Sequence, residues 1–164
     1  MIKKSMVYLG LAVLFFVFPI SMFADSVILG PADFVPYSDE ATFRHSTAHL
    51  YMPTGSPNGA FYAPVHLPEG ARITSVVLFY KDDSSTGNIS VILYKKNIYN
   101  QNSTAMVDWI TSGDSVAALS HKIFPVTGGT LVDNGGYFYH VRIFFNDSSA
   151  GSNCMVYAVK IIYN

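Results

Sequence analysis

The sequence predicts an all-β domain, an antiparallel β-sandwich of jelly-roll type with eight to nine strands. Three observations carry this. Short runs of β-branched and aromatic residues recur along the chain. Clusters of Gly, Pro, Asn, Asp and Ser separate them at fairly regular spacing. Most runs are apolar on both parities of the two-residue β period, the pattern of strands covered on both faces.

Residues 1–24 come first and stand apart. Lys3 and Lys4 precede an apolar run over 6–18, and Ser21-Met22-Phe23-Ala24 follows, the order of a secretory signal peptide cleaved after Ala24. The run is short for a retained anchor and Pro19 interrupts it. No cysteine near the junction supports lipid attachment. The expectation is an exported protein, periplasmic, cell-surface or extracellular, with residues 25–164 as one domain and no membrane span after cleavage. Of ten basic residues two lie in the leader, leaving eight against eleven acidic ones, a charge near −3. No basic cluster supplies the phosphate-neutralising charge that nucleic acid requires. A domain of this length buries a core without staples. The single cysteine, Cys154, has no internal partner and is either a buried small residue or a link between chains; its neighbours Met155, Val156 and Tyr157 favour a buried strand position.

The strands follow in order. Val27-Ile28-Leu29 ends at Gly30-Pro31, and residues 41–52 have strand length but a mixed surface. The centre of the chain is residues 61–96, read as three strands. The first stops at the turn Leu67-Pro68-Glu69-Gly70, where proline presets φ and glycine accepts a positive one. The second, 72–80, ends at the polar loop 82–87, and 88–96 returns as the third. Residues 105–110 hold the only tryptophan, Trp109. Residues 116–124 read as a strand ended by Pro125, with a separate short strand at 130–132. Asp133-Asn134-Gly135-Gly136 reads as a tight reversal using positive φ at glycine. In 137–145, Tyr137, Tyr139, Val141, Ile143 and Phe145 share one face, and Phe138, His140, Arg142 and Phe144 the other. Residues 154–163 close the domain. An outer-membrane barrel is disfavoured, because its strands alternate with a polar lumen face that is absent here.

Ala63-Pro64-Val65-His66-Leu67-Pro68-Glu69-Gly70-Ala71-Arg72-Ile73-Thr74, then Phe79-Tyr80-Lys81-Asp82-Asp83-Ser84, then Val132-Asp133-Asn134 ahead of an aromatic strand, resembles a loose group of uncharacterised exported bacterial single-domain β-sandwich proteins. The resemblance covers most of the mature chain. It implies fold and export and no catalytic residue.

Signals for chemistry are sparse. His45 and His49 lack the glutamate that a zinc-binding helix carries between them, and on a strand they stand about 13 Å apart, so no metal site is expected. Asp82 and Asp83 offer hard oxygens of the kind calcium takes, without the spaced pattern of a calcium loop. No nucleophile elbow accompanies the serines and five histidines, and the glycine pairs precede strands, not helices. The only glutamates are Glu40 and Glu69, with Glu69 in a turn. Neither an enzyme nor a cofactor is expected.

The aromatic load, twelve Phe, eleven Tyr and one Trp, is the stronger signal. It supports an exported, non-enzymatic structural or interaction domain that self-associates through outward Tyr94, Phe138, Phe144 and Tyr157. The alternative is a carbohydrate-binding module with Trp109 or a tyrosine as the platform for a sugar ring and Asp82 and Asp83 as loop contacts.

Overall fold

The computed structural model describes residues 24–38, 43–45, 48–53, 59–110, 116–146 and 151–164. The expected signal peptide, apart from Ala24, lies outside the described residues. Eleven strands are present among them: β1 (Asp25–Leu29), β2 (Val35–Pro36), β3 (Arg44–His45), β4 (Leu50–Tyr51), β5 (Gly59–Val65), β6 (Arg72–Asp82), β7 (Ile89–Asn97), β8 (Ser103–Ile110), β9 (Val116–Leu131), β10 (Tyr137–Phe145) and β11 (Cys154–Tyr163). One antiparallel sheet runs β3-β4-β11-β6-β9, with β1 also on β11; the other runs β2-β5-β10-β7-β8. Without the two-residue strands β2, β3 and β4, the sheets reduce to β1-β11-β6-β9 and β5-β10-β7-β8, the interleaved order of a jelly roll. The excess over the expected eight to nine strands is these short edge additions. Two of them, β3 and β4, replace the single strand expected over 41–52.

The three central strands do not pair with one another. β6 crosses to the opposite sheet, while β5 and β7 flank β10. Between the sheets lies the core: Phe61, Ala63 and Val65 from β5, Leu93 and Val91 from β7, and Val141, Ile143 and Phe145 from β10. Facing them are Ile73, Val76, Leu78 and Tyr80 of β6 and Val156, Val159 and Ile161 of β11. A register shift between Val156 and Ala158 returns Val159 and Ile161 to the inside after Val156, which strict alternation would not do. Cys154 is buried, and its thiol donates to Asp82 Oδ1 at 3.2 Å.

Two local expectations are corrected. Pro125 does not end a strand: β9 runs on to Leu131, with Pro125 opposite Ser75 beside a register shift. β9 is a sheet edge, where a missing N–H interrupts no ladder on the open side. Nor does the 133–136 reversal use positive φ, which among the described glycines occurs at Gly70 and Gly151. It is closed by Asp133, whose Oδ1 accepts from Gly136 N–H at 3.0 Å and whose carbonyl accepts from Tyr137 N–H at 3.0 Å. Gly136 keeps the approach close: a Cβ there would meet Asp133 Oδ2 at 3.0 Å, so the Asp133 carboxylate would have to shift.

Leu93 is fully buried in β7 between the sheets. Leu93→Ala is expected to lower unfolding free energy in denaturant by about 2–5 kcal/mol, against less than about 0.5 kcal/mol for the exposed Ser103→Ala. Equal costs would contradict the placement of the core.

Candidate functional site

The strand parity that fills the core leaves a second set of side chains on the outer face of the β2-β5-β10-β7-β8 sheet. Pairing lines them up in rows. Val35, Tyr62, Arg142, Ile92 and Asp108 stand across the sheet in one row. Pro64, His140, Tyr94 and Ala105 form the next, and Phe138, Lys96 and Ser103 another. Tyr37 follows β2 and closes one side, its N–H donating to the Ala60 carbonyl at 2.8 Å.

These rings touch in sequence. Tyr37 lies 5.3 Å from Tyr62, Tyr62 lies 5.4 Å from His140, and His140 stacks on Tyr94 at 5.1 Å. Phe138 adds an edge at 5.8 Å from His140, and Lys96 Nζ sits 5.6 Å from the Phe138 ring centre. Tyr37 is 75% exposed and Phe138 43%, so the row is open to solvent at both flanks. Together with Val35, Pro64, Lys96 and Ser103 they line a groove of about 490 Å³. A second cavity of about 290 Å³, bounded by His66, Asn134 and Tyr137, shares Pro64 and Phe138 with it and prolongs the groove.

The electrostatics follow from partial burial. Desolvation lowers the His140 pKa and nearby Lys96 lowers it further, favouring the neutral imidazole. Desolvation raises the Tyr62 pKa, with Arg142 acting against it and Tyr37 and Tyr94 adding to it. His140 Nδ1 and Arg142 Nε are both buried without a hydrogen-bond partner. Arg142 lies over Phe144, its guanidinium carbon 5.3 Å from the ring centre. Unmet polar groups of this kind are rare in folded proteins.

Of the residues singled out from sequence, Tyr94, Phe138 and Phe144 share this face. Tyr157 is on the other sheet, 5.8 Å from the His49 ring. Trp109 is not an exposed platform. It pairs with fully buried Val91, packs partly buried against the core and stacks on Phe124 at 4.6 Å, with Lys122 Nζ 4.4 Å from its ring centre. Asp82 is 1% exposed, accepting from Cys154 and from Ser84 N–H, while Asp83 is exposed and 4.0 Å from Lys81. Asp82 ends β6, in the sheet opposite the groove, and Asp83 follows it. Among the described residues no three His, Cys, Asp or Glu side chains converge as a metal cluster. The groove residues not singled out beforehand are Val35, Tyr37, Tyr62, Pro64, Lys96, Ser103 and His140. For His140 and Tyr62 the usable signal was strand parity.

Several solved structures superpose in part on this chain. A xylan-binding module superposes with a TM-score of 0.51 at 10% identity, covering 84% of this chain and 95% of the module. A family 29 carbohydrate-binding module from Piromyces equi gives 0.47 at 15% identity over 86% and 90%. A family two carbohydrate esterase from Cellvibrio japonicus gives 0.48 at 8% identity over 86% of this chain; the chain spans only 34% of that enzyme. At such identities the likeness is one of fold. No protein-family model matches the chain, and no curated protein matches it in sequence.

The lowered His140 pKa has a consequence for stability. The unfolded chain takes up this proton more readily than the folded one, so the contribution is full above about pH 6.5 and is lost as pH falls through the folded value. Thermal melts should therefore show a drop in Tm below about pH 6.5 that shrinks in His140→Gln. An identical drop in both proteins would contradict this environment.

Proposed function

We propose that this protein is an exported, non-enzymatic carbohydrate-binding domain that lays an extended glycan along the groove of the β2-β5-β10-β7-β8 sheet. The observation that carries the reading is the continuous aromatic row from Tyr37 through Tyr62, His140 and Tyr94, with Phe138 beside it, set in an open groove. A sugar ring has apolar C–H faces and a polar rim. Tyrosine and histidine match both, with a flat apolar body and a polar tip. Two cavities joined at Pro64 and Phe138 suit a chain of sugars better than a compact ligand.

Supporting considerations come from three sides. The xylan-binding module has the same fold, so polysaccharide binding occurs on this architecture, although a fold alone assigns no function. The described residues lining the main groove include no carboxylate, whereas glycoside hydrolysis takes a pair of them. Self-association through Tyr94, Phe138 and Phe144 competes for this face. A two-fold contact would set groove against groove and leave a void where a stable interface needs packed surface. Export, expected from residues 1–24, completes the reading and keeps the protein with the exported bacterial β-sandwich domains that its turn motifs resemble.

Affinity electrophoresis and calorimetry of residues 25–164 on a panel of soluble polysaccharides test this. Tyr62→Ala and Tyr94→Ala are each expected to weaken binding by about tenfold or more, and Tyr157→Ala, on the opposite sheet, to leave it unchanged. A dilution-resistant oligomer dispersed by Phe138→Ala, with no polysaccharide retained, would replace this reading with self-association.

A further inference from the structure

The geometry points to an acidic polysaccharide as the ligand, with Lys96 and Arg142 receiving carboxylates from different sugar residues of one chain. The inference rests on the glycan reading above and narrows it to a chemical class.

Neutral sugars present hydroxyls that both donate and accept, and a groove selective for them offers acceptors as well as donors. This groove has hydroxyls that do both, from Tyr37, Tyr62 and Ser103, but its formal charge is one-sided. Among the described residues its main lining contains no Asp, Glu, Asn or Gln; its charged member is Lys96, with Arg142 in the neighbouring row beside Tyr62. Among the described residues no carboxylate lies within ion-pair distance of either cation. Asp108, a described carboxylate on this face, stands in Arg142's row two strands away, about 10 Å at ordinary strand spacing. Both cations are braced on rings, Lys96 by Phe138 and Arg142 by Phe144, which fixes their positions before a ligand arrives. Arg142 carries an unmet buried N–H, and the guanidinium fork matches a carboxylate in two parallel bonds.

Spacing sets the length of the ligand. Lys96 is opposite Phe138, and Arg142 lies four residues further along β10, about 14 Å at the rise of an antiparallel strand. That exceeds one pyranose ring, so a single sugar acid cannot reach both. A polyuronate can, with His140 and Tyr94 between the two cations as the stacking floor. The whole mature chain is net negative, so attraction of a polyanion is local to this face and short-ranged.

The test compares polygalacturonate and alginate with fully methyl-esterified polygalacturonate, which keeps the backbone and loses the charge, and with neutral xylan. Residues 25–164 should bind at least one of the acids about tenfold or more tightly than the ester and xylan. Binding should weaken between about 0.05 and about 0.5 M salt, and Lys96→Gln and Arg142→Gln should each reduce it several-fold. The salt dependence is read on the unaltered protein, so a poorly folding Arg142→Gln leaves the inference testable. Salt-insensitive binding of xylan or the ester, equal to that of the acids and lost in Tyr62→Ala, would overturn the acidic preference and leave the glycan reading standing. Binding of none of these polymers would overturn both.

Discussion

The position of β10 between β5 and β7 is the constraint on which the rest depends. One parity of this strand, Tyr139, Val141, Ile143 and Phe145, is buried in the core; the other, Phe138, His140, Arg142 and Phe144, forms the outer surface. A one-residue slip in pairing would exchange the two sets and expose the core residues to water. Burial of the inner set therefore fixes the register, and the register fixes which rings stand next to which outside. Tyr62 meets Arg142, Pro64 and Tyr94 meet His140, and Lys96 meets Phe138 because Phe61, Ala63, Leu93 and Val141 are locked beneath them. The groove is rigid because it is the reverse side of a packed core.

That coupling has an energetic cost at the surface. His140 Nδ1 and Arg142 Nε are withdrawn from water by the rings that flank them and gain no protein partner. Each such group costs roughly 1–3 kcal/mol relative to a satisfied one. Stacking of His140 on Tyr94 and of Arg142 on Phe144 offsets part of this. A structure optimised for stability alone would place a threonine or valine at these positions.

Much of the architecture was legible in the sequence because it rests on local signals. Two-sided apolar strands separated by turn residues predicted a sandwich, and the parity of 137–145 separated core from groove correctly. Strand parity assigns a face and not a sheet, which is why Tyr157 falls on the opposite side of the molecule from Tyr94, Phe138 and Phe144. Asp82 reads as a loop residue, yet it continues the inward parity of Val76, Leu78 and Tyr80 and is buried with Cys154. Trp109 sits in a strand whose two parities are similar in sequence, and only its pairing with Val91 reveals that it faces inward. Tyr37 was invisible for a different reason. It follows Pro36 in a stretch without periodicity and joins the groove through one backbone hydrogen bond to Ala60, a contact between segments far apart in the chain.

The most direct measurement of the central claim, that the outer face of the β2-β5-β10-β7-β8 sheet is the binding surface, is an NMR titration of labelled residues 25–164 with an oligosaccharide from a polymer that the protein retains. Shift changes confined to Tyr37, Tyr62, Tyr94, Phe138 and His140 and their strand neighbours are the predicted result. Changes centred instead on Phe79, His121 and Tyr157 of the other sheet, with the groove unmoved, would contradict it.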